Sequence, residues 1–129
     1  MTLYLEIEEI EELHRRQLEM YGGISGYRGT EGRGLVESAL GRPLAKAQYE
    51  AASVATQAGA LLFGLAKNHG FLDGNKRIAV VAADTFLQLN GWELTAPQGA
   101  IHDFVSRCSD PDWTEAAVGA FVAAHAIRL

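Results

Sequence analysis

The stretch AASVATQAGALLFGLA, Ala51 to Ala66, is apolar on nearly every side when wound as a helix. A helix with no polar face to offer water belongs in the interior of a fold. Its small residues, Ala58, Gly59, Ala60 and Gly64, would let neighbouring helices approach closely. A second such run, Ile78 to Leu89, ends at Asn90-Gly91, where glycine can take the left-handed conformation that closes a helix. Two interior helices require amphipathic partners around them. One is the segment LEIEEIEELHRRQLEMYGG, whose Ile7, Ile10, Leu13, Leu18 and Tyr21 recur near helical spacing before Gly22 and Gly23 stop it. Leu35 to Leu40 predicts a short helical piece halted by Gly41 and Pro43, after a glycine-punctuated surface loop, ISGYRGTEGRG. WELTAP suits a short extended piece, and Pro97 suits the first turn of a helix that ends before Ser109. SDPDWTEAAVGAFVAAH opens a last helix, with Asp112 three residues before Glu115 in a capping-box-like spacing. No alternating pattern exceeds about four residues, so the expected fold is all-α, a compact helical bundle in one domain over residues 1–129.

Charge and composition remove several function classes. The formal net charge of −5 argues against a non-specific grip on nucleic acid, which depends on many Lys and Arg contacts to phosphate. The single cysteine, Cys108, rules out an internal disulfide and reads as a small buried apolar residue. No run approaches the roughly 20 apolar residues of a membrane span, and the first residues look nothing like a secretion signal. The expected location is the cytoplasm.

Between the two interior runs the chain reads NHGFLDGNKRIAV, Asn68 to Val80. The N-terminus of the following helix offers unpaired N–H groups and the positive end of its dipole, an attractive seat for phosphate. Gly74 lets backbone approach a ligand, Asn75 adds an amide donor, and Lys76 and Arg77 add two cations. Asp73 would repel phosphate unless a divalent cation sits between them, a role that Mg2+ fills by combining carboxylate, phosphate oxygens and water. His69, with an ordinary pKa of about 6.5, can take a proton from an attacking hydroxyl. Phe71 is the expected anchor into the core. Taken singly, the His suits a helix end, the Asp-Gly a turn, and the Lys-Arg pair a solvated surface. Together they form the parts of a phosphoryl-type transfer site. The spacing does not fit the Walker A pattern, and His14, His102 and His125 are too scattered for a zinc motif.

HGFLDGNKR, His69 to Arg77, resembles the H-x-F-x-[DE]-[AG]-N-[GK]-R signature of the Fic/Doc superfamily, with the lysine of its death-on-curing (Doc) branch. LHRRQLEMYGG, GLVESALGRP and FLQLNGWEL resemble Doc-type segments in the same order. The resemblance implies an all-helical Fic fold, with His69 as general base, Asp73 as Mg2+ ligand, and Gly74, Asn75, Lys76 and Arg77 as the phosphate-binding loop. Fic enzymes carry glycine where this chain has Lys76, and transfer AMP from ATP to a protein hydroxyl. Doc toxins carry the lysine and act as kinases, phosphorylating a threonine of elongation factor Tu to halt translation. Val80 replaces the second arginine of Fic enzymes, a further departure towards Doc. The resemblance therefore favours γ-phosphate transfer from ATP, with AMP transfer or a catalytically inactive binding module as alternatives. No [ST]-x-x-x-E-[GN] inhibitory pattern occurs in the chain. Restraint is expected from an antitoxin whose helical segment lies in an apolar groove. Gly70 stands where the family often has proline, so the loop is expected to be more flexible than usual before Phe71.

Overall fold

A computed structural model describes residues 1–129 and contains six helices with one minimal sheet. Helix α1, Ile7–Tyr21, opens with the Glu6 N–H donating to the Glu9 carboxylate, buries Ile10 and His14, and stops at left-handed Gly22. Helix α2 is Gly32–Glu50, α3 is Val54–Asn68, α4 is Asn75–Leu89, α5 is Ala100–Ser106 and α6 is Glu115–His125. Strand β1, Trp92–Leu94, pairs antiparallel with β2, Ala126–Arg128, with Glu93 opposite Ile127. The all-helical expectation holds.

Helix α3 is the axis of the fold, as its composition required. Nine of its residues are buried, and its glycines are points of closest approach. A Cβ on Gly59 would stand 2.6 Å from the Cα of Gly119 on α6, and one on Gly64 would meet the Arg42 side chain of α2 at 2.8 Å. Helix α4 packs alongside α3, and the cluster they share runs from Leu5 to Val122 and includes the buried thiol of Cys108.

The structure corrects three expectations about helix boundaries. Helix α2 begins at Gly32 and runs straight through Gly41 and Pro43 to Glu50, instead of spanning only Leu35 to Leu40. Proline removes one ladder hydrogen bond, but Val36, Ala39 and Pro43 form one buried stripe against α3. Beyond the proline, Arg42 and Lys46 both reach Glu115 on α6. Tertiary packing thus carries the helix past its weak point. Helix α5 starts at Ala100 after left-handed Gly99, so Pro97 lies in the preceding turn. Helix α6 is capped by Thr114, whose hydroxyl accepts the Ala117 N–H at 3.2 Å, while Asp112 lies upstream in a turn. Strand β2 was not anticipated; its exposed Ile127 and Arg128 carry no strand-like alternation.

Candidate active site

The link between α3 and α4 is held in place by the N-terminal third of the chain. Helix α3 closes at His69 in the left-handed region, φ 50° and ψ 47°, a conformation that costs an ordinary side chain about 1–2 kcal/mol. Gly70 follows, and a Cβ there would strike Val36 at 2.6 Å and the Gly32 carbonyl at 2.7 Å. Glycine is needed for the close approach of α2, and proline, which also carries a Cβ, would not fit this packing. The loop is also pinned by a β-bridge between Tyr27 and Phe71. The Arg28 N–H donates to the Gly70 carbonyl at 2.7 Å, and the Leu72 N–H donates to the Gly26 carbonyl at 3.0 Å. The expectation of a looser loop at Gly70 is therefore reversed.

Phe71 is buried, as expected, between two rings. It stacks on His14 at 3.8 Å and on Tyr27 at 5.0 Å. His14 also donates from Nε2 to the Asp73 carbonyl at 2.8 Å, so one buried side chain holds both the anchor and the backbone of the candidate metal ligand. Asn75 closes the loop from the other end. Its amide donates to the Phe71 carbonyl at 2.9 Å and accepts the Phe71 N–H at 3.0 Å. The amide expected to face a ligand is thus occupied internally, and what Asn75 offers outward is its backbone N–H.

Asp73 is exposed, and its carboxylate accepts the Gly74 N–H at 2.9 Å and the Ile24 N–H at 3.2 Å. Gly23 passes so close that a Cβ there would lie 2.8 Å from Asp73 Oδ2. Each oxygen keeps acceptor capacity beyond its single N–H, and no group of three carboxylate, histidine or thiol ligands surrounds it. A hard cation held here by one carboxylate would take its other ligands from phosphate oxygens and water, which is the usual habit of Mg2+. The residues fit that ion.

Helix α4 then begins without a side-chain cap, because its N-cap is Gly74 at φ 75°. The N–H groups of Asn75, Lys76 and Arg77 find no acceptor within the chain. These three residues line a cleft of about 640 Å³ whose walls include all six proposed site residues, His69, Asp73, Gly74, Asn75, Lys76 and Arg77. Leu72, Val80 and Val81 line it too, and sequence reading missed its more distant walls: Gln17 and Tyr21 from α1, Arg28 from the glycine-rich loop, and residues of α5. Arg28 donates from Nε to the His69 carbonyl at 3.0 Å, and the Arg77 guanidinium lies 4.8 Å from the centre of the Tyr21 ring.

The distribution of unpaired cations would suit an anion in the cleft. Arg15, Arg16, Arg33, Arg42 and Lys46 all pair with carboxylates. Arg28, Lys76 and Arg77 form no such pair and converge on one opening in a chain of net charge −5. His69 responds to this environment. Its pKa is lowered from the usual 6.5, first by partial burial in the cleft and then by the positive charges of Arg28, Lys76 and Lys67. His69 as a whole is exposed, so solvent moderates the shift. The neutral imidazole, able to accept a proton, is the favoured form at neutral pH.

The loop that joins the two interior helices and ends in an uncapped, cation-flanked helix terminus lies within residues 4–87, which match the family model of the Fic/DOC family, and the chain belongs to that family. Among its relatives, Toxin Doc of Mycolicibacterium smegmatis is 37% identical over 99 residues, covering 70% of this chain and 76% of that protein. Protein kinase doc of Escherichia phage P1 is 34% identical over 89 residues, 68% of each chain. No helix is long and apolar enough to cross a membrane.

Proposed function

We propose that the chain is a Doc-type toxin kinase, moving the γ-phosphate of ATP onto a protein hydroxyl, with a threonine of elongation factor Tu as the acceptor that the family resemblance suggests. The observation that carries this reading is the meeting, in one cleft, of a neutral histidine, a lone open carboxylate, three unpaired cations and three free helix N–H groups. Similarity to a relative named a protein kinase favours phosphoryl transfer over AMP transfer, as does the side chain of Lys76 in the loop.

In this mechanism His69 removes the proton from the acceptor hydroxyl as its oxygen forms a bond to the γ-phosphorus. The bond from that phosphorus to the bridging oxygen breaks, and ADP departs. The N–H groups of Asn75, Lys76 and Arg77 and the side chains of Lys76 and Arg77 stabilise charge on the phosphate oxygens as it redistributes. Asp73 would hold Mg2+, which when bound neutralises triphosphate charge and orients the leaving group. Arg28 adds to the burial that lowers the pKa of His69, and its Nε–H holds the His69 carbonyl. Restraint would come from an antitoxin that lays a helical segment into an apolar groove.

Purified chain, elongation factor Tu, Mg2+ and labelled ATP test the proposal. Label from the γ-position should appear on the factor, and should require Mg2+. Label from the α-position would instead identify AMP transfer, and transfer of neither would leave a binding module.

A further inference from the structure

The Asp73 carboxylate is exposed, yet its orientation is tied to α1, where His14 stands 59 residues earlier in the chain. His14 and Leu18, one turn apart on that helix, both lie against the Asp73–Gly74 turn. A Cβ on Gly74 would stand 3.6 Å from His14 Nε2 and 3.8 Å from Leu18 Cδ2. His14 is only 4% exposed, and its Nε2–H donates to the Asp73 carbonyl. The same peptide group carries the Gly74 N–H, which a trans peptide directs to the opposite side. That N–H donates to Asp73 Oδ1. Imidazole, peptide and carboxylate thus form one chain of hydrogen bonds, in which each bond polarises the next. The other oxygen, Oδ2, accepts the N–H of Ile24, just beyond the end of α1. The stack on Phe71 does not call for an imidazole, because a phenyl ring would make it as well. The donor is what sets histidine apart here.

We propose that His14 is a positioning residue for the metal-binding carboxylate: by holding the Asp73–Gly74 peptide, it fixes the orientation in which Oδ1 and Oδ2 meet a divalent cation. The inference rests on the reading above that Asp73 holds Mg2+, and names what sets the geometry of that hold. Each oxygen gives one acceptor position to a backbone N–H and keeps another for a ligand. A carboxylate fixed in this way loses little rotational freedom when it binds. Removing such an outer partner usually costs about 10–100-fold in metal affinity.

Calorimetric titration of the full chain with ATP, once with Mg2+ and once with EDTA, measures what the metal adds to nucleotide affinity. The wild type should bind at least about tenfold more tightly with Mg2+, and Asp73→Asn should lose most of that gain. His14→Phe keeps a ring on Phe71 and removes the donor. It should erase most of the Mg2+ gain while leaving ATP affinity in EDTA within about twofold of wild type. His14→Gln carries a side-chain N–H at the same bond distance from the backbone, without the ring, and should keep most of the gain. The Gly74 amide proton gives a readout that needs no metal: its resonance should move upfield in His14→Phe and stay in place in His14→Gln. A Mg2+ gain retained by folded His14→Phe would overturn the inference. So would an equal loss of gain in both variants, which would assign the effect to the ring's packing on Phe71. Should His14→Phe fail to fold, His14→Gln decides by itself, and a folded His14→Gln without the gain overturns the inference. No gain in the wild type, or a gain that survives Asp73→Asn, would instead remove the metal from Asp73 and take this inference with it.

Discussion

The two interior helices are entered through loops that start alike and end differently. Ala51 and His69 are the only non-glycine residues with positive φ, at 51° and 50°, and each closes the preceding helix. After Ala51 the chain reaches Ser53, whose hydroxyl accepts the Thr56 N–H at 3.2 Å and seals the start of α3. After His69 it reaches Gly74, which has no side chain to offer, and the first N–H groups of α4 stay unpaired. The same left-handed turn therefore serves a closed helix terminus in one place and an open one in the other. With glycine as its N-cap, an open terminus forgoes only roughly a few tenths of a kcal/mol of capping, and hydrogen bonds to its free N–H groups must come from outside the chain.

Four substitution or pH experiments press on this contrast. His69→Ala should lower γ-phosphate transfer by about 10²–10⁴-fold, the usual contribution of a general base, while nucleotide binding measured by calorimetry persists. Full transfer by this variant would remove His69 from the chemistry. Asn75→Ala strands the buried N–H and C=O of Phe71, each worth about 1–3 kcal/mol. Urea denaturation should show a loss of about 2–4 kcal/mol. Third, Ala51→Gly and His69→Gly each relieve a left-handed side chain and should raise stability by about 1 kcal/mol. Only the second should silence transfer, and a stability loss at either would contradict the backbone assignment. The smallest effect concerns pH. Because burial and then Arg28 lower the pKa of His69, transfer should persist below pH 6.5 before protonation of the base stops it. Arg28→Ala should move that acid limb upward, and a limb left unmoved in the pH–rate profile would remove Arg28 from the tuning.

How far the sequence revealed these features depended on the range over which each is determined. The interior helices were legible because composition alone dictates where Ala58 to Ala66 and Ile78 to Leu87 must go. His69 to Arg77 were legible because the motif's polar residues are close neighbours in the chain, and the structure opens all of the proposed site residues into one cleft. What stayed hidden is tertiary. His14 looked like one of several scattered histidines, since its contacts with Phe71 and Asp73 span more than 50 residues of chain. Arg28 and Ser106 reach the cleft only through folding. Pro43 carried a local signal to stop that burial against α3 outweighs. Gly70 and Asn75 show a further limit: residue type was visible, but whether it served a ligand or the chain itself was not.

By locking both backbone groups of Phe71, Asn75 ties the five residues from Phe71 to itself into a closed ring before any guest arrives. The seat is preformed, so little of the association free energy is diverted to ordering chain. The heat-capacity change on nucleotide uptake should accordingly reflect the surface covered in the cleft, without the larger signature of a segment folding around its ligand.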